Sequence, residues 1–122
     1  MESVIDAAED ELLKSPAIEL LLVWRGQELR LSNHLDRSFT IGLQRDNNLV
    51  VSGTYVSRLH ATLKWCRNRF ELCDHSTNGS FVQLEDEEIR YVHRSSIRLW
   101  GEGFLSFGEP LTETNVIRFS HA

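Results

Sequence analysis

The sequence predicts an all-β domain built as an antiparallel β-sandwich, and three observations support this. From Ile18 onward the chain consists of short runs rich in β-branched and aromatic residues. The runs are broken by Gly, Asn, Asp and Ser, the residues that turn a chain. Past the first sixteen residues no run carries a helical period of any length. Eleven such runs in about a hundred residues suit two packed sheets better than one open sheet.

Residues 1–16 stand apart as an acidic N-terminal helix or flexible tail. Val4, Ile5, Ala8 and Leu12 fall close to one helical face, Ser3 with Asp6 resembles a capping box, and Pro16 stops the pattern. At about three turns such a helix is marginal alone in water and should dock or fray. Residues 17–122 form the single domain that a chain of 122 residues supports.

Its strands are expected at Ile18–Trp24, ended by Gly26, and Glu28–Leu31, ended by Ser32-Asn33. Next come Ser38–Ile41, ended by Gly42, and Leu49–Val51, ended by Ser52-Gly53. Ala61–Trp65 and Phe70–Asp74 flank a turn at Arg67-Asn68-Arg69, and Ser80–Leu84 follows the Asn78-Gly79 turn. Ile89–Val92, Ser96–Leu99, Phe104–Phe107 and Val116–Phe119 complete the set. Trp24, Trp65 and Trp100 sit at strand ends, where an indole completes a core while its N–H stays near water.

Composition excludes several functions. The formal net charge is -5 and 25% of residues are charged, so a nucleic-acid surface would have to oppose the overall field. No apolar run approaches a membrane span, and the acidic Met1-Glu2 start lacks the layout of a signal peptide, which makes the cytoplasm the default address. A turn at Arg67-Asn68-Arg69 would set Cys66 near Phe70 and Cys73 near Leu63, which disfavours a disulfide. Cys66, Cys73, His60 and His75 match no common zinc spacing, so no metal is expected.

The chemistry concentrates in Thr40–Val82. Ile41-Gly42, Ser57-Arg58-Leu59-His60-Ala61 and Ser76-Thr77-Asn78-Gly79-Ser80 each lie in a loop between hydrophobic runs. Hydroxyls, an amide and a guanidinium brought to turns by glycine can hold a phosphate on a peptide without breaking bonds. In a sandwich, alternate connections reach the same end, so three separated loops can share one site. Ser57, His60 and Asp74 contain the residue types of a hydrolytic triad, but there is no G-x-S-x-G elbow and no α/β alternation. A Gly-rich loop ending in Gly-Lys-Ser/Thr is also missing, so an enzyme is not expected.

These residues resemble the forkhead-associated (FHA) domain, whose hallmarks are Gly-Arg after one strand, Ser-x-x-His in the next loop and Asn-Gly in a third. The chain offers Gly42-Leu43, Ser57-Arg58-Leu59-His60 and Asn78-Gly79 at agreeing spacings. Asn47-Asn48-Leu49-Val50-Val51 looks like the family's Asn-Asp-Ile/Leu-Val-Val strand entry, and Arg98–Gly108 looks like the closing strands of bacterial FHA modules attached to signalling proteins, including nucleotide cyclases. The resemblance covers about residues 18–120.

The resemblance implies a non-catalytic module, without a cofactor, that binds a phosphothreonine-containing protein in signalling and belongs to a larger protein or complex. On this reading Ser57 and Arg58 hold the phosphate, Thr77 lies against the phosphothreonine and Asn78 grips the peptide main chain. Gly42 and Gly79 shape the loops, and His60 ties them together from behind. The departure is Leu43, where the family usually has arginine, and Arg45 is the candidate replacement. The alternative is an FHA-like scaffold that binds its partner independently of phosphate, with Leu43 packed at the loop base and Arg45 pointing to water. Glu85-Asp86-Glu87-Glu88 reads as a solvated acidic turn, and Thr112-Glu113-Thr114 offers hydroxyls that a kinase could modify.

Overall fold

The computed structural model describes residues 18–34 and 37–121, and the N-terminal segment expected as a helix or tail lies outside them. Eleven strands form, as the hydrophobic runs predict: β1 (Glu19–Trp24), β2 (Gln27–Ser32), β3 (Phe39–Gly42), β4 (Leu49–Val50), β5 (Ala61–Cys66), β6 (Arg69–Asp74), β7 (Ser80–Leu84), β8 (Arg90–Val92), β9 (Ser96–Leu99), β10 (Gly103–Phe107) and β11 (Ile117–His121). They make a six-stranded sheet in the order β2-β1-β11-β10-β7-β8 and a five-stranded sheet in the order β4-β3-β5-β6-β9. The pairing is antiparallel except for β3 with β4, which run parallel, a correction to the all-antiparallel expectation. The cause is the connection after Gly42, which crosses back before β4 begins instead of turning tightly.

Strict alternation drives the assembly. In β1 every second residue (Leu20, Leu22, Trp24) is buried, and β6 and β7 show the same pattern with Phe70, Leu72 and Asp74, and Val82 and Leu84. The inward faces of the two sheets meet in one core whose largest fully buried side chains include Phe70, Phe119, Leu63, Leu72, Leu105 and Ile117. Burying each such side chain contributes about 1.5–3 kcal/mol. Among the described residues no buried side-chain nitrogen or oxygen lacks a hydrogen-bond partner.

Two hairpins are tighter than their sequences suggest. Trp24 pairs with Gln27 and Cys66 with Arg69, leaving two-residue turns at Arg25-Gly26 (φ 48° and 80°) and Arg67-Asn68 (φ 53° and 66°). The second corrects the expected three-residue turn: Cys66 faces Arg69 and Cys73 faces Thr62. Positive φ at two consecutive residues matches the right-handed twist of the flanking strands, and Asn68 tolerates it well. Both cysteines are free, and burial raises the Cys73 thiol's pKa.

The pairings place the connections after β3, β4, β6, β8 and β10 at one end of the sandwich. The two ends of the described chain lie at the other, where Leu20 of β1 pairs with His121 of β11.

Candidate functional site

The connection after Gly42 runs alongside the one that precedes β5. Leu43 N donates to Ser57 O at 2.9 Å and Gln44 N to Arg58 O at 3.2 Å, while Asn47 Nδ2 donates to Arg58 O at 2.7 Å and to Gln44 O at 2.8 Å. Gly42 makes this approach possible, because a Cβ there would lie 2.1 Å from Arg58 O. The entry to β4 is held separately: Thr40 N and Oγ1 donate to Asn48 Oδ1, and Asn48 N donates to Thr40 Oγ1.

The third loop joins through Ser57, whose Oγ accepts from Thr77 N at 3.2 Å. Accepting that amide leaves the hydroxyl proton available for a ligand oxygen. Asn78 Nδ2 donates to Tyr55 O at 3.2 Å, which leaves Oδ1 and a second N–H of the same amide available. Tyr91 Oη donates to Asn78 O at 3.0 Å, and its ring covers Gly79 (φ 86°), where a Cβ would come 2.4 Å from the ring. The structure thus brings Ser57, Arg58, Thr77 and Asn78 together at one end of the molecule.

Arg58 and Arg45 are exposed, and neither forms an ion pair among the described residues. Arg45 lies one residue beyond the bond between Gln44 N and Arg58 O. Leu43 is 44% exposed, so it does not pack at the loop base as the phosphate-independent alternative supposes. Its amide is tied to Ser57 O while its side chain remains at the surface.

Beneath this surface sits a buried polar frame. His60 is fully buried; its Nδ1 accepts from Ser57 N at 3.0 Å and its Nε2 donates to Gly79 O at 2.8 Å, which fixes the tautomer. Both ring nitrogens are therefore engaged, and neither addresses the Ser57 hydroxyl. The triad arrangement is not formed, since the imidazole braces two loops instead of activating a nucleophile. Asp74, also buried, accepts from Ser76 N (3.1 Å), Ser76 Oγ (2.8 Å), Ser80 Oγ (2.6 Å) and Arg94 N (2.9 Å), and lies 3.6 Å from His60 Nε2. Burial alone would raise its pKa, but the hydrogen bonds from Arg94 N, Ser80 and Ser76 outweigh this and hold it below the usual carboxylate value.

Burial lowers the pKa of His60, partly offset by the bond to Gly79 O and the Asp74 charge. A histidine harder to protonate folded than unfolded subtracts stability once the unfolded chain begins to bind the proton. The domain should therefore lose stability as pH falls below about 6.5, levelling off below the lower folded value. Urea denaturation across this window should show the slope in the native domain and a smaller slope in His60→Gln. Equal slopes would mean that His60 does not set the pH response.

Sequence reasoning gave no roles to Tyr55, Tyr91 and Arg94, named Asn47, Ser76 and Ser80 only within their motifs, and weighed Asp74 only as part of a triad. The Asp74-x-Ser76 spacing is the one available signal, because an aspartate that bonds the amide two residues on is a standard turn device. Nothing local marks Tyr91 or Arg94, which reach the loop from a different strand and a different connection.

The described residues thus form a β-sandwich with a cluster of hydrogen-bond donors braced at one end. The chain belongs to the FHA family: the model of the FHA domain matches residues 39–99. Structures with the same fold include Mycobacterium tuberculosis Rv1747 FHA-1 (18% identity, TM-score 0.70, covering 88% of this chain and 99% of that one). M. tuberculosis EmbR in complex with a low-affinity phosphopeptide is also similar (21%, TM-score 0.57, 97% of this chain and 29% of that one). So is the yeast Dun1 FHA domain in complex with a doubly phosphorylated peptide (20%, TM-score 0.56, 87% and 74%). No curated protein sequence matches the chain.

Proposed function

We propose that this FHA domain captures phosphothreonine-bearing segments of proteins in signalling, as a cytoplasmic module within a larger protein or complex. The observation that carries the reading is the bond from Thr77 N to Ser57 Oγ, which ties the loop of Ser57 and Arg58 to that of Thr77 and Asn78 and leaves the Ser57 hydroxyl proton free to donate. Ser57 and Arg58 take the phosphate, Thr77 lies against the phosphothreonine, Asn78 grips the peptide main chain, and Arg45 replaces the charge absent at Leu43. Gly42, His60 and Gly79 hold the loops. Phosphopeptide complexes of relatives that share the fold support the reading.

Fluorescence anisotropy with a degenerate phosphothreonine library and its unphosphorylated twin tests it. Phosphate-dependent binding should weaken about 10- to 100-fold in Ser57→Ala or Arg58→Ala, the worth of a charge-assisted hydrogen bond. The alternative, a scaffold that binds its partner independently of phosphate, rests on the leucine that stands at position 43 where the family usually has arginine. Equal binding of both libraries, unchanged by the two substitutions, would establish that alternative.

A further inference from the structure

Beside Asn78, on the side leading to the connection after β10, lies a cleft of about 540 Å³ lined by Tyr55, Asn78, Gly108, Glu109, Pro110 and Thr112. Its volume falls within the range of pockets that hold small ligands. The walls are built independently of any ligand. Gly108 N donates to Gly79 O at 2.9 Å, and a Cβ at Gly108 would lie 2.3 Å from Tyr55 O, so β10 closes directly onto two of the site loops. The buried Ser106 Oγ donates to Glu109 O at 2.6 Å, and Asn115 Nδ2 donates to Pro110 O at 2.9 Å, which fixes the opposite wall.

The lining is amphipathic and carries a single sign of charge. Tyr55, half exposed, and Pro110 offer apolar surface, and among the described residues Glu109 is the one charged residue lining the cleft. Glu109 forms no ion pair among the described residues. Resting on the phosphothreonine reading above, we infer that the cleft selects ligands with a lysine or arginine near the phosphothreonine. The aliphatic stem lies along Tyr55 and Pro110, and the cationic head meets the Glu109 carboxylate and the Tyr55 ring face. Arg58 and Glu109 then form a charge pair of opposite sign that matches a phosphate followed by a cation and fixes the direction in which a peptide lies. The net charge of -5 works the same way, since it disfavours a phosphopeptide whose flanks are acidic.

The test uses phosphothreonine peptides that carry alanine elsewhere, with a single lysine or glutamate placed in turn at about four positions on each side. Unphosphorylated twins are measured in parallel by fluorescence anisotropy. Lysine at one position should tighten binding about three- to tenfold over alanine, the combined effect expected of an exposed ion pair and a cation–π contact. The gain should shrink to within about twofold in Glu109→Gln and turn into a preference for glutamate in Glu109→Lys, with thermal unfolding confirming that both variants fold. Phosphate-dependent binding with no lysine preference, or a preference that survives Glu109→Gln, overturns this inference and leaves the proposed function standing. Loss of phosphate dependence itself overturns both.

Discussion

Asp74→Ala is expected to cost about 3–5 kcal/mol of unfolding free energy, the range seen when a buried charged group is removed and its partners remain. Three hydrogen-bonding groups besides Ser76 Oγ lose their acceptor: Ser76 N, Ser80 Oγ and Arg94 N. Each donor left unsatisfied in the interior costs about 1–3 kcal/mol before relaxation. Set against a typical total of about 5–15 kcal/mol, this is a large share of the domain's stability. Urea denaturation monitored by tryptophan fluorescence measures it. Asp74→Asn keeps one acceptor oxygen but turns the other position into a donor that faces donors, so it should be nearly as damaging. The carboxylate's lowered pKa adds a pH signature of definite sign: its contribution is complete above the unfolded value near 3.8 and is lost as pH falls through the folded value. A loss of less than about 1 kcal/mol in Asp74→Ala would show that the frame under the loops relaxes around the vacancy.

Gly42→Ala is expected to destabilise the domain by about 3 kcal/mol, the upper end for overpacking, and to abolish measurable phosphopeptide binding. The new methyl would be placed 2.1 Å from Arg58 O and 2.9 Å from Asn47 Nδ2, so it must push apart the two loops that carry Leu43 and Arg58. Backbone, unlike the tip of a flexible side chain, cannot swing aside. Gly26→Ala is the control: nothing lies within 4 Å of a Cβ there, and only its φ of 80° resists substitution, at about 1 kcal/mol. Denaturant midpoints for both variants, with anisotropy for Gly42→Ala, separate a steric effect from a general intolerance of side chains in turns. If Gly42→Ala binds as the native domain does, the approach of the two loops is not what forms the site.

Much of the fold was legible because burial in a sandwich imposes a period of two on each strand. Leu20, Leu22 and Trp24, or Val82 and Leu84, announce their face without knowledge of partners. What strand runs do not encode is direction or turn length. The parallel pairing of β4 depends on how the segment around Asn47 crosses back, and the two-residue turn at Arg67-Asn68 depends on residues other than glycine accepting positive φ. Of the candidate site, the residues grouped in local motifs could be named from sequence: Ser57 and His60 are three apart and Thr77 and Asn78 adjacent. The supports could not. Asp74 left only its spacing to Ser76 as a signal, whereas Tyr91 and Arg94 act on the loop at Ser76–Gly79 from distant elements, and only the folded chain brings them within hydrogen-bonding distance. Leu43 illustrates the reverse limit: its identity was plain, whereas its exposure became visible only in the folded chain.

The pairing of Leu20 with His121 has a mechanical consequence. Because β1 and β11 are antiparallel neighbours, the start of β1 and the end of β11 lie at the same end of the sandwich, opposite the donor-bearing loops. Tension between those two points would open the ladder one hydrogen bond at a time, like a zipper, instead of loading all its bonds together in shear. Such a module yields to modest force if pulled by both ends. Tethered by either end, it presents its loops away from the anchor.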